Sequence, residues 1–77
     1  MTKIDQEVME IVAQVARKNT EELCPETRLA EDLILKSMSR IELAALLCDK
    51  FKISLNNFEI RMPKTVEEVI QLVNSKL

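Results

Sequence analysis

Ser37 is the side chain in this sequence best placed to carry chemistry. It heads an apolar run, within the stretch DLILKSMSRIELAALL at residues 32–47, and follows a lysine, Lys36. A hydroxyl there has two uses. It can cap a helix, which serine does well, or it can anchor a group. A third use, catalysis, lacks its apparatus. The chain has no His, which removes the commonest general base and metal ligand. It also has no Gly, which excludes the glycine-rich loops that cradle nucleotide phosphates. A 77-residue chain without either is a poor candidate for a self-sufficient enzyme.

The bulk composition narrows the class further. The length suits one small domain, residues 1–77, and not two. The hydrophobic fraction is 47%, yet Phe51 and Phe58 are the only aromatics, so the core must be built from Leu, Ile, Val and Met. Such a core repacks readily. The net charge of -2 and the lack of a basic patch interleaved with aromatics argue against nucleic acid. No apolar run approaches the roughly 20 residues that span a bilayer, so no membrane insertion is expected. Acids interrupt the apolar pattern of the N-terminus, which does not read as a signal peptide. Cys24 and Cys48 form no C-x-x-C pair, and a reduced, cytoplasmic setting is the simplest reading.

The elements that must position Ser37 read as helices. Ile4, Val8, Ile11, Val12 and Val15 form the stripe of an amphipathic helix over 3–18, with Arg17 and Lys18 at its negative end. Residues 19–36 lack a clean period and contain Pro25. A loop this long is usually functional or disordered, and Leu23, Leu29 and Leu33 suggest that it packs on the core. A second helix covers 37–51. A short third one covers 56–62, with Asn56 or Asn57 as cap and Pro63 as its stop. A fourth covers 65–76, opened by a Thr65–Glu68 capping box and carrying Val66, Val69, Ile70 and Val73 on its buried stripe.

The second helix carries more apolar surface than a core stripe needs. With Ser37 at zero and 100 degrees per residue, Leu43, Leu47, Phe51 and Ala44 fall between about 240 and 340 degrees. A second set, Cys48, Ile41, Ala45 and Met38, lies at about 20 to 100 degrees, bordered by Glu42 and Asp49. This set either packs under the long loop or forms a docking face for partner proteins, since an apolar centre with a charged edge suits a modest transient interface. Ser39 with Glu42 forms a capping box of its own, which could start the helix two residues later and leave Ser37 in the loop.

The order of helix, long loop, serine-headed helix, short helix and last helix resembles an acyl carrier protein along essentially the whole chain. The strongest stretch is LAEDLILKSMSRIELAALLCDKF. Glu31, Asp32 and Leu33 match the family's E-D-L, and Glu42, Leu43, Leu47 and Phe51 match its second helix without a gap. Leu55, Thr65 and Val66 continue the register. Ser37 matches the serine that carries 4′-phosphopantetheine. The departures cluster at that site. Lys36 stands for the Asp before the serine, Met38 for the Leu after it, and Ile34 for the Gly three residues before it. Ser39, Cys48 and Lys50, and later Asn57, Phe58 and Arg61, stand where acids are usual.

The resemblance implies an all-α, four-helix bundle that is a carrier and not an enzyme. It implies a covalent 4′-phosphopantetheine on Ser37, holding an acyl group as a thioester. A phosphodiester there would lie near free backbone N–H groups and the positive end of the helix dipole, with Lys36 as an added cation. The implied partners are a phosphopantetheinyl transferase and an acyl ligase or acyltransferase, meeting a monomer at Met38, Ile41, Glu42, Ala45, Cys48 and Asp49. Met38, Leu46 and Met62 are candidates for lining an acyl pocket. The reduced acidity points to a specialised lipid or secondary-metabolite pathway rather than general fatty acid biosynthesis. An aminoacyl or peptidyl carrier, or an unmodified helical adaptor, remain as alternatives.

Overall fold

The computed structural model describes residues 2–77. Four α-helices, α1 (Lys3–Ala16), α2 (Ser37–Phe51), α3 (Asn57–Arg61) and α4 (Val66–Lys76), enclose one apolar core. Helix α1 packs against α2 and α4, and α2 packs against α3. No strand is present among the described residues. One isolated antiparallel bridge, Arg28 with Thr65, joins the long loop to the start of α4. The all-helical bundle agrees with the sequence expectation.

The core is aliphatic. Val8, Val12, Leu29, Leu43, Leu47, Val66, Val69 and Val73 are fully buried, and no polar or charged side chain among the described residues is buried with them. Phe51 only flanks the core and Phe58 is exposed. The α1 stripe is wider than its spacing predicts, because Met9 and Ala13 are buried as well. Helix α1 packs against both α2 and α4, so a single narrow stripe would leave one neighbour unpacked.

Three of the four α-helices open with a side-chain cap. Thr2, Asn56 and Thr65 accept from the N–H groups of Asp5, Glu59 and Glu68. At α3 the box is reciprocal, with Glu59 Oε1 accepting from Asn56 N–H at 3.1 Å. At α4 it is not. Glu68 Oε1 accepts instead from Lys64 N–H at 2.9 Å, one residue before the cap.

The first helix stops at Ala16, two residues earlier than its pattern predicts, because Arg17 turns left-handed with φ 59°. Lys18 N–H then reaches Ala13 O at 2.9 Å and Arg17 N–H reaches Gln14 O at 3.2 Å, which satisfies the last carbonyls. Lys52 ends α2 in the same way at φ 55°. These positions usually fall to glycine, and a chain without glycine fills them with long cationic side chains.

The 19–36 segment is ordered by the core and by α4. It contains one turn of 3₁₀ helix, Thr20–Glu22, which the sequence did not announce. Leu23, Leu29, Leu33 and Leu35 are all buried. Val66 N–H donates to Thr27 O at 3.0 Å, Glu67 N–H to Pro25 O at 2.9 Å, and Leu29 N–H to Lys64 O at 2.9 Å. Loop carbonyls thus satisfy N–H groups that the first turn of α4 would leave without partners.

Candidate functional site

Ser37 is the first residue of α2 and Lys36 is its cap residue, so the helix does not start later at Ser39. No side chain caps this helix. The ladder begins with Arg40 N–H donating to Lys36 O at 2.9 Å. The N–H groups of Ser37, Met38 and Ser39 therefore find no acceptor among the described residues. Ser37 itself is exposed, and its hydroxyl makes no hydrogen bond to the described residues. The capping role, a sufficient reason for a serine at this point in the sequence, is not what this serine does.

The backbone before Ser37 is held from both sides. Leu33 and Leu35 point into the core, and Leu35 N–H donates to Leu29 O at 2.9 Å. Between them Ile34 is outside, 64% exposed, with φ at 55°. A left-handed residue lets two leucines flanking it both turn inward while the chain rises into α2. The β-branched side chain makes that conformation costly.

Earlier in the loop, Asp32 accepts from Arg28 N–H at 2.8 Å and pairs with the Arg28 guanidinium at 3.2 Å. The backbone donor, and then the guanidinium, hold the Asp32 carboxyl below its usual range. The aspartate of the E-D-L stretch is thus a loop brace.

Ser37 opens onto a shallow cleft of about 320 Å³, lined also by Leu35, Lys36, Arg40 and Arg61. Arg40 was not singled out from sequence. Its Nη1 donates to Ile60 O at 3.1 Å, Arg61 O at 3.5 Å and Pro63 O at 2.7 Å. Those carbonyls lie at and just beyond the end of α3, so Arg40 ties the first turn of α2 to the C-terminal end of α3. Burial alone lowers the Arg40 pKa from its ordinary value, with no carboxylate to offset it. The available signal was its place at about 300 degrees on the α2 wheel, a cation inside the arc of Leu43 and Leu47.

The apolar set on α2 separates as its angles suggest. Leu43 and Leu47 are buried, while Ala44 and Phe51 pack against the core. Met38 is 78% exposed and Ile41 47%, Ala45 is exposed and Cys48 half-buried, so the set does not pack under the loop. Glu42 and Asp49 are exposed beside it. Of the residues considered for an acyl pocket, only Leu46 packs against the core. Met62 is exposed on an open cleft with Pro63 and Leu72, and Met38 faces outward.

Most of the chain aligns with known proteins. Over 76 residues it is 32% identical to the acyl carrier protein of Thermosynechococcus vestitus, covering 99% of this chain and 94% of that protein. The acyl carrier protein of Rickettsia canadensis is 31% identical over 74 residues, covering 96% of this chain and 86% of its own length. That of Thermobifida fusca is 31% identical over 64 residues, covering 83% and 81%. The chain belongs to the acyl carrier protein family. No family model matches it. As an acyl carrier protein it is a carrier and not an enzyme. Among its described residues no helix is long and apolar enough to cross a membrane.

Proposed function

We propose that this carrier holds an acyl group as a thioester on a 4′-phosphopantetheine arm attached to Ser37. It presents that group, as a cytoplasmic monomer, to enzymes of a specialised lipid or secondary-metabolite pathway. The observation that carries this reading is an exposed Ser37 hydroxyl with no hydrogen bond to the described residues, at the one α-helix start among them that no side chain caps. The residues fit a phosphodiester. Three N–H groups without acceptors adjoin the hydroxyl, and Lys36 adds a cation. The arm supplies the thiol that bears the cargo; the chain supplies the anchor and the surface around it.

Met38, Ile41 and Ala45, with Cys48, Glu42 and Asp49, offer partners an apolar centre with an acidic edge. A phosphopantetheinyl transferase and a dedicated acyl ligase or acyltransferase would dock there. An acyl chain could enter beside Leu46 as the aliphatic core repacks, with Met38 and Met62 folding over the mouth. Each CH₂ buried would contribute about 0.8 kcal/mol.

The test is the intact mass of the protein co-expressed with its transferase. Wild type should gain one arm and Ser37→Ala none. An unmodified wild type would leave the helical-adaptor reading in its place. Mass analysis of the thioester-bound group then separates an acyl from an aminoacyl cargo.

A further inference from the structure

The Ser37 cleft is a local reversal of the molecule's charge. The chain carries a net -2. Yet the cleft is lined by three cations, Lys36, Arg40 and Arg61, and by no carboxylate. The neighbouring clefts are mixed: Glu31 and Glu68 line one with Arg28, Arg40 and Lys64, and Glu22 and Asp32 line another with Lys18. The ion pairs among the described residues are Arg28–Asp32, Lys50–Glu7, Lys52–Asp49 and Lys76–Glu59. None includes the three cations of the Ser37 cleft.

Arg40 is the most informative of the three. It is partly buried, a setting in which a cation usually has an anionic partner. Its protein bonds all leave from Nη1, toward the carbonyls of Ile60, Arg61 and Pro63. Nε and Nη2 have no acceptor among the described residues, and Arg40 lines both the cleft that Ser37 lines and the neighbouring one with Glu31 and Glu68. A planar guanidinium presents five N–H donors and binds phosphate oxygens well. One edge is therefore fixed to α3 while donors remain for an anion on Ser37.

We propose that Lys36, Arg40 and Arg61 form a cradle within the chain for the phosphodiester that joins the arm to Ser37. The proposal rests on the carrier reading above and deepens it. The phosphate's charge is met by the carrier itself, so a partner reading the root of the arm has no need of a basic patch there. Through the Nη1 bonds, the bound phosphate is also coupled to the end of α3. The arm then leaves the surface on the α3 side rather than swinging freely about the head of α2.

The four arginines make the test internal, since Arg17 and Arg28 lie outside the Ser37 cleft. The full chain is prepared unmodified and with the arm on Ser37, loading being read by intact mass. Guanidinium NMR then follows the Nε–Hε signals of all four, and ³¹P NMR follows the phosphodiester. On loading, the Arg40 and Arg61 signals should shift and exchange with water several-fold more slowly, while that of Arg17 stays in place. The shifts should shrink as salt rises, because part of the attraction is solvent-screened. Lys36→Gln with Arg61→Gln changes two exposed residues. It should keep the helical fold and move the ³¹P resonance toward that of a free phosphodiester. Loaded protein with unmoved Arg40 and Arg61 signals would overturn the cradle and leave the carrier reading intact. No mass gain at Ser37 would overturn the carrier reading and the cradle with it.

Discussion

Ile34 offers a sharp stability test, because the sign of the effect decides it. The residue has φ at 55° and is 64% exposed. A left-handed L-residue costs about 1–2 kcal/mol. Replacing Ile34 by Gly relieves that strain but adds back unfolded-state freedom worth about 0.4–1 kcal/mol. It also loses the buried third of the side chain, about 0.5–1 kcal/mol by area. These terms nearly cancel, so Ile34→Gly against wild type decides nothing.

Ile34→Gly against Ile34→Ala does decide it. Both remove the same contacts beyond Cβ, and they differ in whether a Cβ must fit a positive φ. At such a position Gly should be the more stable by about 1 kcal/mol. At a helical or extended position Ala would win by roughly 0.5–1 kcal/mol. For a chain of 77 residues, the usual unfolding entropy of ~2.1 cal/mol/K per residue makes 1 kcal/mol equal to about 6 °C in Tm. Calorimetry of the two variants should therefore place Ile34→Gly about 6 °C above Ile34→Ala. An Ala variant that melts at the same temperature or higher would refute the left-handed geometry and the account of how the loop delivers Ser37.

Acid should destabilise the fold through three carboxyls held below their usual values. The Thr2 hydroxyl holds down Asp5, the Arg28 N–H holds down Asp32 and the Lys76 ammonium holds down Glu59, from ordinary values of 3.8, 3.8 and 4.5. A depressed folded pKa means that the unfolded chain takes up protons first, so the stabilisation is complete above pH 4.5 and is lost as the pH falls below it. Thermal midpoints measured from pH 7 to 3 should drop in that window, with a shallower slope in Glu59→Gln. Arg40→Met should cost about 1–3 kcal/mol, because the carbonyls of Ile60, Arg61 and Pro63 lose a charged donor. Hydrogen exchange should show the amides of α3 opening more than those of α1. For partner choice, Lys36→Asp with Cys48→Glu should be acylated faster than wild type by a general fatty-acid ligase at low salt, with the gap closing at high salt. Equal rates at low salt would remove charge as the reason for a dedicated partner.

The local pattern alone determined a large part of this protein. The bounds of α2 follow from its apolar run, and the caps at Thr2, Asn56 and Thr65 are short-range arrangements within three residues. The aliphatic core follows from the absence of all but two aromatics. The place of Ser37 at the head of a helix also lies within one short stretch. Such features are legible because their cause, backbone periodicity or a capping bond, acts between near neighbours.

The tertiary structure decided what those neighbours could not. The bonds from Arg40 to α3 span 20 to 23 positions of sequence, and the loop carbonyls that serve α4 lie some forty residues from their donors. Glu68 turned from its cap to the N–H of Lys64, the residue whose carbonyl accepts from Leu29 of the loop. Ile34 stands in a glycine-like conformation because Leu33 and Leu35 are both claimed by the core, a constraint invisible until the core exists. The Ser37 cleft owes one of its three cations, Arg61, to α3, brought in by the same packing. Burial is a property of the whole chain, so the residues that depend on it have no local signature to read.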